Sequence, residues 1–386
     1  MYGRRVLVPA LTAVLVIAAV PLFAQRSNNT TQKPPQRAPQ EQQDVQALVA
    51  AVDAALMSDV GITLPAAGAP ASTPIAPKPL AFGAGDRTEG GVSVKWQSNH
   101  FLKGGTGETY LPFTVALDRS QLAKGAALYV RIVNAEQAAA FGAYTAASAA
   151  PTQGGKATPP ARPTFAWDSV AFLDVPGNGE LSRAVQLKPG QYVAFVAAKE
   201  KSTAPAATPT APAATPAAVG LLRHELVVPD FNSGDLRTSS VIIAQSVETL
   251  TPSAVNDQES NPYVFGPMRI NPSLDGRFAK SGELNVFLWI YGAKEAATGK
   301  PDVVIDFRFH QRLAEGEKYF NRTEPQQLNA QTLPAEFSAA AGHQLLSTLG
   351  VRLASFPAGD YRLEIKVTDR PTGRELTQSV NFSVVA

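Results

Sequence analysis

Phe356-Pro357-Ala358-Gly359-Asp360-Tyr361-Arg362-Leu363-Glu364-Ile365-Lys366-Val367-Thr368-Asp369 is the stretch that decides the fold. Tyr361, Leu363, Ile365 and Val367 take every second position, and Arg362, Glu364 and Lys366 lie between them. Successive side chains of a strand point to opposite faces, so the pattern predicts a strand with one face in a core and the other in water. Asp369-Arg370-Pro371-Thr372-Gly373 then supplies turn residues, and Val380, Phe382 and Val384 alternate on the return, which predicts a terminal hairpin.

The phrase that opens this strand has a twin. Lys188-Pro189-Gly190-Gln191-Tyr192 repeats the glycine two residues before a tyrosine seen at Pro357-Ala358-Gly359-Asp360-Tyr361. At the corner of a β-sandwich such a tyrosine packs its ring and returns a hydroxyl bond to nearby backbone. Two copies suggest two related sandwiches. Further alternating segments fit them: Leu111 to Leu117, Leu128 to Ile132, Val170 with Phe172, Val185 with Leu187, Val193 with Phe195, and Val303 to Phe309. Leu221 to Val228 and Ser240 to Ala244 read as the last strands of the first unit. The expected fold class is all-β, with two immunoglobulin-like sandwiches at 81–248 and 260–386.

The N-terminal part reads differently. Arg4-Arg5, the apolar run Val6 to Phe23 and the small-residue exit at Ala24 predict a secretory signal peptide over 1–24. Uncleaved, that run is nearly long enough to span a membrane. A disordered linker over 25–80 follows, broken by a short helix at 41–57 whose Val45, Leu48, Val49, Val52 and Leu56 form one apolar stripe. There is no cysteine, so stability has to come from packing. The 34 basic and 32 acidic residues give a net charge of +2, which creates no field that would gather nucleic acid.

Two Ala/Pro/Thr-rich inserts, 146–163 and 202–218, are expected to hang from the first sandwich as loops, and 251–259 to connect the two units. Leu284, Val286, Leu288 and Ile290 alternate with Phe287, Trp289 and Tyr291, so this strand is apolar on both faces. A central strand with one face in the core and the other covered by a loop or by the first domain satisfies that pattern.

Reactive constellations are hard to assemble. His100, His224, His310 and His343 are far apart in sequence, and no serine occupies a Gly-x-Ser-x-Gly elbow. Lys103-Gly104-Gly105-Thr106-Gly107 lacks the order of a phosphate loop. Asp174 with Glu180, or Asp302 with Asp306, can be nominated as paired carboxylates for glycoside hydrolysis, and Asp257, Glu259 and Asp275 as calcium ligands without a calcium-loop cadence. No catalytic, cofactor-binding or metal residue is assigned. The structural and interaction candidates are Tyr192, Tyr361, Phe287, Trp289 and Tyr291.

With Thr372-Gly373 and Val380-Asn381-Phe382-Ser383-Val384, the Phe356–Asp369 stretch resembles the carboxy-terminal β-sandwich of large exported bacterial proteins, especially acidobacterial ones described as von Willebrand A-related or named for a Gly-Trp-x-Thr-Asp domain. Val227 to Phe231 and Leu284 to Phe309 extend the resemblance to about half of the chain. The Asp-x-Ser-x-Ser signature and the Gly-Trp-x-Thr-Asp phrase are both missing. The resemblance implies an exported, periplasmic or secreted module, without the metal-binding A domain. The expected function is a non-catalytic scaffold or protein-interaction module of the cell envelope, with an envelope protein or extracellular polymer as partner. The alternatives are glycan recognition through Trp96, Trp167 or Trp289 and a β-sandwich hydrolase.

Overall fold

A computed structural model describes residues 38–62, 78–83, 85–149, 161–202, 218–250 and 261–386. The expected signal peptide, the expected linker at 25–37 and 63–77, most of both Ala/Pro inserts and the expected connection at 251–259 lie outside the described residues. What is described is largely β-structure in two sandwich-like units.

The first unit faces two sheets. One has five strands: β1 (Arg87–Gly90), β9 (Gly220–Val228), β8 (Gly190–Glu200), β5 (Ala126–Val133) and β6 (Trp167–Leu173), in that spatial order. The other centres on β4 (Thr109–Leu117), with β2 (Val94–Asn99) and β3 (Leu102–Lys103) along one edge and β7 (Glu180–Leu187) along the other. Leu111, Phe113 and Val115 of β4 meet Leu128, Val130 and Ile132 of β5 and Ala194 and Val196 of β8 between the sheets.

A third layer, which alternation alone does not show, covers the five-stranded sheet from outside. All eight residues of β5 are buried, because its outward row faces helices rather than water. α1 (Pro39–Asp59) begins and ends two residues beyond the expected span, with proline at the start where a missing N–H costs nothing. Its buried Leu48, Val52 and Leu56 recur every fourth residue and lie on Tyr129, Val133, Val193 and Phe195. α2 (Ala135–Ala149) adds Ala138 and Phe141 to that cluster. It overlaps the stretch expected to start a loop at 146, so that boundary is corrected.

The second unit also faces two sheets. One contains β10 (Arg237–Thr238), β11 (Ile242–Thr249), β12 (Val264–Phe265), β13 (Met268–Pro272), β15 (Glu283–Tyr291) and β19 (Leu345–Arg352). The other contains β14 (Arg277–Ala279), β16 (Val303–Leu313), β17 (Gly316–Arg322), β18 (Gln326–Leu328), β20 (Gly359–Asp369) and β21 (Arg374–Val385). β20 and β21 pair without interruption from Gly359↔Val384 to Asp369↔Arg374.

One strand changes sides relative to the sequence reading. The stretch Ser240 to Ala244, expected to close the first sandwich, leads into β11, which hydrogen-bonds to β15 and β13 of the second. The expected boundary at 248 therefore cuts through a sheet. Val241, Ile242 and Ile243 are the large apolar residues in that stretch, and β11 pairs with β15, whose Val286–Tyr291 run is wholly apolar.

Candidate interaction surfaces

The two tyrosines of the repeated phrase take the same local geometry. The Tyr192 hydroxyl donates to the Lys188 carbonyl at 2.9 Å, and the Tyr361 hydroxyl donates to the Pro357 carbonyl at 2.8 Å. Gly190 and Gly359 enter their strands with φ of +151° and +143°, backbone that a side chain rarely permits. Tyr361 lies flat on Phe382 at 5.3 Å and edge-on to Phe356. Both tyrosines close a corner of their own core.

Phe287, Trp289 and Tyr291 occupy the second face of β15 and are buried in a cluster shared by both units. Leu102, Tyr110 and Ala184 enter it from the first unit, and Tyr263, Phe265, Met268 and Ile270 from the second. Phe265 sits 4.9 Å from Trp289 and edge-on to Tyr110 at 6.5 Å. Polar groups at its rim are satisfied across the seam. Phe101 N–H donates to Ser240 Oγ and Ser240 N–H returns a bond to the Phe101 carbonyl, both at 2.9 Å. Lys103 N–H donates to the Tyr291 hydroxyl at 3.0 Å, and the Tyr110 hydroxyl donates to the Pro262 carbonyl at 2.8 Å. His100 Nδ1 and the Tyr263 hydroxyl are 2.9 Å apart, and burial pushes the imidazole down to about 4. Burial also pushes the Tyr110, Tyr263 and Tyr291 hydroxyls up, so all three stay protonated.

The helix-covered face is polar at chosen points. Arg131, Lys199 and Arg223 are 1%, 4% and 3% exposed, on the adjacent strands β5, β8 and β9. Each meets an aspartate of α1: Arg131 meets Asp53, Lys199 meets Asp44 and Arg223 meets Asp59. Asp44 also accepts the Ser202 N–H at 2.9 Å and the Ser202 hydroxyl at 2.7 Å. Burial raises its carboxyl, but the Lys199 and Ser202 bonds outweigh that and hold it below the usual value. Arg162 grips both oxygens of Asp53 at 2.7 and 2.8 Å. The Arg131 guanidinium lies 4.2 Å over Phe165 and binds the Tyr129 hydroxyl, which donates onward to Asp168.

None of these charged residues stands out in the sequence. The available signal is a single base inside an otherwise apolar strand, as Arg131 is in Ala126–Val133, together with aspartates on the stripe side of an amphipathic helix.

The residues nominated for chemistry are dispersed. His224 Nδ1 is hydrogen-bonded to the Asp86 carboxylate at 2.7 Å, and the ring stacks on Trp96 at 4.3 Å. His310 lies edge-on to Tyr319, and His343 Nδ1 accepts the Ser338 N–H at 3.2 Å. Asp174 pairs with Lys201 and Glu180 with Asn178. Asp302 lies just before β16 and Asp306 within it, four residues apart, or about 13 Å along extended chain, beyond the spacing of a glycosidase pair. Asp275 accepts the Arg277 N–H at 2.9 Å in a turn, while Asp257 and Glu259 lie outside the described residues. Trp289 is 6% exposed, and Trp96 and Trp167 are half-buried against the first core. Among the described residues no group of three or more His, Cys, Asp or Glu could hold a metal ion, and no helix is long and apolar enough to cross a membrane.

No protein-family model matches the chain, and no curated protein matches its sequence. Among solved structures, it is similar to the crystal structure of trypsin-activated alpha-2-macroglobulin from Escherichia coli, with 10% identity and a TM-score of 0.22. That alignment covers 76% of this chain and 16% of the other, so the chain spans a small part of that protein's length.

Proposed function

We propose that the chain is an exported, non-catalytic scaffold or protein-interaction module of the bacterial cell envelope, which holds a partner protein or extracellular polymer. The observation that carries this reading is the seam. Contacts between domains of one chain are ordinarily modest and polar, so the domains move. Here Phe287, Trp289 and Tyr291 are buried against residues of the other unit, with hydrogen bonds closing the rim. A body stiffened in this way is suited to fixing the distance between things bound at its two ends.

The charged side chains of the covered face serve the same purpose, since each is spent on holding α1. Export is supported by the basic, apolar and small-residue order of the first 24 residues. The finer fold reading, immunoglobulin-like sandwiches akin to those of the acidobacterial von Willebrand A-related proteins, is supported by the twin tyrosine corners. Glycan recognition has weaker support, because Trp289 is enclosed in the seam and Trp96 stacks on Phe113 and His224.

Cell fractionation followed by crosslinking and affinity recovery from envelope extract tests the reading. Export and one reproducible envelope partner are expected. Retention in the cytoplasm, or turnover of a polysaccharide, ester or peptide by the purified protein, would sink it.

A further inference from the structure

A sheet edge exposes a row of N–H and C=O groups that recruits another strand unless something guards it, such as shortness, charge, proline or a bulge. Most edges of this molecule carry such a guard. β1 is four residues long and holds Arg87 and Glu89, and β12 and β14 have only two and three residues. β17 carries three charges, and β2 is interrupted by a register shift between Trp96 and Ser98. On β19 the Thr348 carbonyl accepts the Gln326 side chain.

β6 is different. Trp167-Asp168-Ser169-Val170-Ala171-Phe172-Leu173 contains no Lys, Arg, Pro or Gly and pairs with β5 over seven residues without a bulge. Among the described residues β5 is its one neighbour in the sheet. Its single charge, Asp168, is turned back onto Tyr129 and Arg131 of the adjoining strand. Tryptophan, valine and phenylalanine are also strong strand formers.

We propose that β6 pairs edge to edge with β6 of a second copy, antiparallel about a two-fold axis at Val170. The strand is complementary to itself in that register. Trp167 falls opposite Leu173, Asp168 opposite Phe172, Ser169 opposite Ala171, and Val170 opposite its own counterpart. The two Asp168 carboxylates then lie about 13 Å apart along the strands, so like charges do not face each other. Trp167 and Leu173 border the core between the sheets, while Val170 and Phe172 border the helix-side cluster, so pairing continues an apolar layer on each face. The five-stranded sheet becomes one of ten strands, and the contact closes on itself instead of propagating. The inference needs only the chain itself and stands apart from the envelope reading.

Sedimentation equilibrium of the full chain, expressed for export and purified, is the test. Twice the chain mass is expected for the unaltered protein. Val170→Lys brings two cations together at the axis and is expected to give the single-chain mass, as is Val170→Glu. An equimolar mixture of the two variants is expected to restore the doubled mass, which a merely misfolded variant could not do. A single-chain mass for the unaltered protein at every concentration, including the case in which β6 holds a foreign strand instead, would overturn the proposal. So would an undiminished dimer of Val170→Lys, or a mixture that stays monomeric.

Discussion

The outer faces of the two sandwiches use the same side chains to opposite ends. In the first, Arg131, Lys199 and Arg223 project from neighbouring strands into a helix and vanish from solvent. In the second, Arg308 and Lys366 project from β16 and β20 into water, each opposite an acid on the next strand, Arg308 facing Glu364 and Lys366 facing Asp306. The helix layer makes the difference. Under α1 an unpaired base would be a charge in a low-dielectric interior, so each partner is obligatory, whereas on the bare face water replaces any lost partner. A base on the outward row of a strand is therefore read correctly only when one knows what covers the row.

The largest effect that separates the two faces should come from Lys199→Met, which strands the Asp44 carboxylate under the helix. A loss of about 3–5 kcal/mol in urea unfolding is expected, and Asp44→Leu combined with Lys199→Met should recover most of it. An equal loss in the double variant would mean that packing, not charge, carries the site.

Next comes a pH effect at the seam. His100 is held down to about 4 in the fold against 6.5 in the unfolded chain, so the unfolded chain takes up the proton first. Stability should therefore fall as pH drops from about 6.5 toward 4, and His100→Asn should flatten that slope in pH-dependent melts.

Tyr192→Phe and Tyr361→Phe each remove one corner hydroxyl bond. Matching losses of about 0.5–1.5 kcal/mol are expected, and a large inequality would break the equivalence of the two corners. The smallest change belongs to the bare face. Arg308→Ala, whose ion pair with Glu364 spans 3.8 Å in the open, should cost about 0–1 kcal/mol and less in high salt.

The sequence is most legible where one face of a strand is wet. β16, β20 and β21 alternate because water and core demand different residues in turn, and the terminal hairpin follows from that pattern. Where both faces are covered, alternation shows only one of them: Leu128, Val130 and Ile132 of β5 mark the core between the sheets, while the helix cover over Ala127, Tyr129 and Val133 leaves no period-two signal. β15 was legible for the opposite reason: a strand apolar on both rows needs a cover on each side, and the seam supplies one.

α2 escaped notice because Ala135-Glu136-Gln137-Ala138-Ala139-Ala140 shades into an Ala/Pro stretch and shows no strong stripe. Its signal lies at its start instead. Asn134 Oδ1 accepts the Gln137 N–H at 2.8 Å, and Gln137 Oε1 accepts the Asn134 N–H at 3.1 Å. That reciprocal pair is a capping box, spelled Asn-x-x-Gln in the sequence. The aspartates of α1 could not be assigned from spacing alone, because their partners come from strands that are neighbours only once the sheet has formed.

The end of α1 has a topological consequence. The Lys78 N–H donates to the Val60 carbonyl at 2.8 Å, so a backbone hydrogen bond joins the described residues that end at Ile62 to those that resume at Lys78. Severing the polypeptide between those two points would detach α1 covalently but leave its apolar line and the ion pairs of Asp44, Asp53 and Asp59 in place. The molecule thus has the makings of a split protein, in which a peptide ending near Ile62 and a body starting near Lys78 reassemble on mixing.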